Sequence, residues 1–209
     1  MSGTPTPKNR ERYYHQQMDA LAGADLAAQA PPLGLGVDAG GRVPLRFFNR
    51  DFLASVRAIE PVDGQPVSLD HKSVIAHYLL SRGRGKPAGE FLPIGRLTGV
   101  VSTGVSPSDN LIAPLTEKFG AQYELFRRAA LKIGGLEEGR APSGGESWLF
   151  QPLPLLPVRI VFFEADEEFA AEVKVLFDAS APKFVAYECL ELMEMVLVDE
   201  LLSAAGLED

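Results

Sequence analysis

The most concentrated chemistry in this sequence lies in Phe162-Phe-Glu-Ala-Asp-Glu-Glu-Phe169, where Glu164, Asp166, Glu167 and Glu168 crowd together and Asp178 follows the next apolar stretch. Carboxylates this dense repel one another unless water disperses them or a cation gathers them. Three chemistries are open to them: a solvated hairpin turn, a hard-metal or cationic-ligand site, or a general acid/base pair. A second concentration is basic, Arg82-Gly-Arg-Gly-Lys86, in which Arg84 and Lys86 stand among glycines. It lacks the gap and the Gly-Lys-Ser/Thr ending of a P-loop, and Pro87 follows at once. It reads either as a helix C-terminal turn, with its cations at the negative end of the helix dipole, or as a site for a small anion.

Other signatures are incomplete. Gly34-Leu-Gly-Val-Asp-Ala39 has the letters of a dinucleotide-binding turn but neither the preceding strand nor the following helix that would set a pyrophosphate on a helix N-terminus. His71 and His77, on one expected helix, point about 120° apart, and His15 lies in another. Gly145-Glu-Ser-Trp-Leu149 lacks the closing glycine of a nucleophile elbow. Cys189 is the only cysteine, which excludes an internal disulfide and any cysteine-based zinc or iron-sulfur site. It falls in an apolar stretch, as a buried inert thiol would.

The elements that must position these groups are legible from periodicity and punctuation. Residues 1–9 read as a frayed arm, and Arg10 to Ala30 as a helix stopped by Pro31-Pro32. Val43 to Phe48 and Phe52 to Arg57 suggest a hairpin with Pro44 at a strand start or edge. Ser68 or Asp70 can cap a helix ending near Gly83. A long glycine- and proline-rich loop, with one short strand, runs from Arg82 to Pro107. Asp109 can cap a long middle helix reaching Gly134-Gly135, with a bend at Gly120. Trp148 to Gln151, Val158 to Phe163 and Val173 to Phe177 read as strands, the last two as an antiparallel hairpin around the acidic turn.

Phe184 to Ala205 closes the chain as a strongly apolar helix with two seams. One is Ala186, Leu190, Met193, Leu197 and Leu201; the other is Val185, Cys189, Leu192 and Val196. One seam suffices for packing on a sheet, so the other meets either more of this chain or a second copy. The fold class that results is α+β, with three to four helices on a mainly antiparallel sheet in a single domain over 10–209.

Composition narrows the class. The chain has 209 residues, 46% hydrophobic and 23% charged, as in ordinary globular domains. Its net charge of -8 is unevenly spread, with thirteen acids against two lysines from Glu164 onward. Such a balance argues against nucleic acid as a partner. No apolar stretch is long enough for a membrane helix or resembles a signal peptide, and the lone cysteine suits a reducing compartment, so a cytoplasmic location is expected.

Pro154-Leu-Leu-Pro-Val-Arg-Ile-Val-Phe-Phe-Glu-Ala-Asp-Glu-Glu-Phe-Ala-Ala and Val175-Leu-Phe-Asp-Ala-Ser-Ala resemble the C-terminal signature of a prokaryotic family, the domain of unknown function 3786. Ile75-Ala-His-Tyr-Leu-Leu, Lys118-Phe-Gly and Ile133-Gly-Gly fall where that family has similar blocks. Some of its members carry a cysteine-rich iron-sulfur domain like one in corrinoid proteins, which is missing here. The resemblance implies a ligand- or cofactor-associated accessory role in metal-cofactor or one-carbon metabolism, with no cofactor specified. Three functions are therefore expected as alternatives: a non-enzymatic protein that binds a small molecule, an enzyme using the carboxylates with or without a divalent metal, and an interaction protein forming a homodimer through Phe184 to Ala205.

Overall fold

The computed structural model describes residues 7–81, 83, 85–97 and 107–206. Helix α1 (Pro7–Ala22) ends ahead of Gly23, and Asp25 caps the short α2 (Leu26–Gln29) by accepting a 3.1 Å hydrogen bond from the Ala28 amide. The helix expected from Arg10 to Ala30 is thus two helices; of the expected arm, residues 7–9 are helical and residues 1–6 lie outside the described residues.

Strands β1 (Val43–Phe47), β2 (Arg50–Ala54) and β3 (Ile59–Pro61) form a three-stranded antiparallel sheet in that order. Alternating burial turns Val43, Leu45 and Phe47 inward, and Pro44 lies on the edge strand, where a missing N–H is tolerated. The β1–β2 turn falls at Phe48-Asn49, one residue earlier than the polar Asn49-Arg50-Asp51 suggests. Phe48 takes a φ of 50° there, uncommon for a bulky residue, and is held by burial.

Helix α3 (Leu69–Leu80) follows, then the short β4 (Phe91–Leu92) and α4 (Ile94–Leu97). The long middle helix divides into α5 (Pro107–Phe119) and α6 (Tyr123–Lys132), and Asp109 lies inside α5 instead of capping it. The division falls at Gly120, where a Cβ would stand 2.5 Å from the Thr116 carbonyl oxygen. Helix α6 ends at Gly134, whose φ of 86° lets the Gly135 amide return to the Ala130 carbonyl at 2.8 Å.

The second sheet contains β5 (Leu136–Arg140), β6 (Glu146–Leu153), β7 (Leu156–Phe163) and β8 (Glu172–Asp178), in the order β4-β8-β7-β6-β5, every neighbour antiparallel. Its register stacks Trp148, Ile160 and Val175 in one row and Phe150, Val158 and Phe177 in the next, all buried. Phe126 of α6 packs against this face, perpendicular to Trp148 at 5.9 Å and 4.9 Å from Phe162. Trp148 Nε1 donates to Tyr123 Oη at 3.2 Å, so the indole is buried without an orphaned donor.

The architecture is α+β as expected, with two antiparallel sheets and more helices than three or four. Helix α7 (Tyr187–Ala204) runs through the centre and packs on α3, α5 and α6. Leu190, Met193, Leu197 and Leu201 of one seam and Val185, Cys189, Leu192 and Val196 of the other are buried by this chain itself. A second copy is therefore not required to cover them. Among the described residues no helix is long and apolar enough to cross a membrane.

Candidate functional site

Helices α1, α3 and α7 meet through polar side chains. Ser68 caps α3 in position only: its backbone is extended (φ -65°, ψ 158°), but its hydroxyl accepts no first-turn amide of the helix. Ser68 Oγ lies instead 2.8 Å from Nδ1 of the buried His71, and His71 Nε2 lies 2.8 Å from Glu200 Oε1 on α7. An ionised carboxylate only accepts, so Nε2 carries a proton; in the neutral ring Nδ1 then presents its lone pair, and the serine hydroxyl donates to it. Phe47 meets the imidazole edge-on, 5.8 Å between centroids at 88°, and fixes its plane. The strained Phe48 turn delivers that ring.

Asp70 is 2% exposed. Arg10 Nη1 reaches to 2.8 Å from Asp70 Oδ2, yet the pair is not aligned as a hydrogen bond: among the described residues neither Asp70 Oδ2 nor the buried Arg10 Nε makes one. Burial pushes the Asp70 carboxyl above the usual range, with Arg10, and His71 when its ring is protonated, pulling it back.

These two groups floor a cavity of about 290 Å³. Arg12 and Tyr13 of α1, Ser73 of α3, and Glu188, Glu191 and Leu192 of α7 are among the residues of its walls. Arg10 and Asp70 offset each other, which leaves Arg12 against Glu188 and Glu191. Burial first, and neighbouring Glu188 as well, push the Tyr13 phenol upward, so it stays a neutral donor. On the next turns of α3, burial holds His77 below its ordinary value against the pull of Glu188. The arrangement can receive a small polar molecule carrying positive charge.

The groups singled out by sequence fall elsewhere. Glu164, Asp166, Glu167 and Glu168 are exposed in the β7–β8 connection, where Asp166 Oδ1 accepts from the Glu168 and Phe169 amides at 2.8 and 2.7 Å. Asp178 stands at the other end of β8, a strand's length or roughly 20 Å away. The acidic turn and Asp178 therefore do not form one site. Asp178 is fully buried and accepts from the Ala88, Gly89 and Ser180 amides and from the Ser180 hydroxyl. Burial alone would raise it, but the Ser180, Ala88 and Gly89 donors outweigh that and hold it below the usual carboxylate range. It is a clamp for the loop before β4. Lys86 is exposed on that loop, and Arg84 lies outside the described residues. No group of three or more His, Cys, Asp or Glu able to hold a metal ion occurs among the described residues. Cys189 is buried and its thiol is pushed upward by burial, as an inert core cysteine should be.

By type and spacing alone Ser68 reads as a cap and His71 as an isolated histidine. The spacing Ser68-x-x-His71 was the available signal, since residues three apart share a helix face. Nothing in the sequence links either to Glu200, 129 positions beyond His71.

No curated protein and no solved structure matches the chain. The domain of unknown function (DUF3786) matches over residues 25–200, which spans α2 through most of α7. The chain belongs to that family.

Proposed function

We propose that this protein binds a small, amine-bearing polar molecule in the cavity between α1, α3 and α7, as the accessory or binding role expected from sequence. The observation that carries this reading is the Arg10–Asp70 pair lining the cavity, in which the buried atoms Asp70 Oδ2 and Arg10 Nε make no hydrogen bond among the described residues although burial makes unmet polar groups costly. An ammonium group satisfies Asp70 Oδ2 and meets Glu188 and Glu191, and Arg12 can receive an anionic end of the same molecule. The link to prokaryotic metal-cofactor or one-carbon metabolism rests on the family resemblance alone.

The test is a chemical-shift titration with ethylamine, 1,4-diaminobutane and arginine as probes and acetate and phosphate as anionic controls. The amines should move the resonances of Tyr13, Ser73 and Leu192, and Glu188→Gln with Glu191→Gln should weaken that response at least several-fold. Shifts produced by the anions alone, or by none of the probes, overturn the reading.

A further inference from the structure

None of Ser68, His71 and Glu200 lines the cavity, and the hydrogen-bonded chain they make needs a separate explanation. A serine at a helix N-cap ordinarily accepts a hydrogen bond from an amide of the first turn. Ser68 does not; its proton is directed to a buried imidazole whose far nitrogen is held by a carboxylate from another helix. Ser68 is exposed, whereas the side chains behind it are covered, His71 at 8% and Glu200 at 17% exposure. A nucleophile facing solvent, a base behind it in a fixed tautomer and an acid that orients the base are the three roles of a nucleophilic relay.

We propose that Ser68 is an acyl-accepting nucleophile and that this protein hydrolyses small acyl esters. Ser68 Oγ attacks the ester carbonyl carbon while its proton passes to His71 Nδ1, and the ester C–O bond then breaks as the leaving alcohol takes that proton. Water attacks the resulting acyl-serine, gives one proton through His71 back to Ser68 Oγ, and releases the carboxylic acid. Glu200 accepts from Nε2–H throughout and stabilises the imidazolium that forms. The ring is turned the other way from the serine-protease arrangement, in which Nε2 faces the serine; either nitrogen serves, because the hydrogen bond made by the other sets the tautomer. The first-turn amides of α3, left uncapped by the Ser68 side chain, supply donors for the oxyanion beside the nucleophile.

The experiment treats the full-length protein with a fluorophosphonate probe, locates the label by peptide mass spectrometry, and in parallel follows p-nitrophenyl acetate hydrolysis. The wild type should be labelled at Ser68, and Ser68→Ala should abolish the label, whereas Ser143→Ala, an exposed serine in the β5–β6 turn, should keep it. His71→Gln should slow both labelling and turnover by about 10²- to 10⁴-fold, the range of general-base catalysis. Glu200→Gln keeps the shape of the contact but can present its amide to Nε2 and favour the wrong tautomer, so it should lower turnover while leaving near-ultraviolet circular dichroism unchanged. If folded wild-type protein takes no label at Ser68, or if Ser68→Ala hydrolyses the ester as fast as wild type, the relay is only a polar tether between α3 and α7 and the proposal is overturned.

Discussion

Asp178 Oδ2 accepts a 2.7 Å hydrogen bond from the Gly89 amide, which joins segments 89 residues apart at the end of the five-stranded sheet. The Ala88 amide on Oδ1 and the Ala179 amide on the Glu90 carbonyl, both at 2.8 Å, complete the join. The loop that carries Lys86 is thereby fixed to β8 by a buried carboxylate, and a residue that looks catalytic by type is a structural clamp.

Asp178→Asn should therefore destabilise the fold at neutral pH by about 2–3 kcal/mol, since charge-assisted hydrogen bonds are lost and an amide group is set against backbone donors. The pH dependence has a defined sign. A carboxyl held below its ordinary value in the folded state contributes stability above the unfolded value, near 3.9, and loses it as pH falls through the depressed folded value. Urea denaturation of both proteins should show a gap that is full at pH 6–7 and closes below about pH 4. A gap independent of pH would mean that the ionised form is not what the donors hold.

The elements with strong periodicity were legible: the β1–β2 and β7–β8 hairpins and α7 lie close to where apolar spacing puts them. Strand β5 was not, because Leu136-Glu-Glu-Gly-Arg140 is mostly polar and exposed and owes its place to pairing with β6. Glu138 reaches back to Arg159 at 2.8 Å and to the Ser147 hydroxyl at 2.7 Å, contacts that no local pattern encodes. The candidate site is harder still to read. Arg10, Asp70, His71 and Glu200 come from three helices, and only tertiary packing joins them. The acidic turn was conspicuous for the opposite reason, since solvent accepts charge there without selecting a geometry.

That turn should behave as a solvated connection. Its carboxylates are exposed, and Asp166 already closes the turn through the Glu168 and Phe169 amides. Titration with calcium, magnesium or manganese should leave the melting temperature unchanged, because a cation bound selectively by the native state has to raise it by mass action. Replacing Glu164, Glu167 and Glu168 together by glutamine should also leave it within about 1 °C, as expected for exposed surface positions in a fold of this size. A saturable rise with one of the three cations, lost in the triple variant, would restore the metal reading.

A charge at Val196 separates the two roles left for the apolar seams of α7. Val196 is fully buried, and unlike Leu192 it does not reach the cavity wall, so a charge introduced there reports on packing alone. If α3, α5 and α6 cover the seam within one chain, Val196→Glu buries an uncompensated carboxylate and should cost several kcal/mol, measured as a lower urea midpoint that does not vary with protein concentration. If instead the seam is shared with a second copy, the wild-type midpoint rises with concentration, because association stabilises the folded state by mass action, and the variant becomes a folded monomer of near-normal secondary structure. The burial of both seams by this chain favours the first outcome, and sedimentation equilibrium of wild type and variant at the same loading concentrations reads it directly.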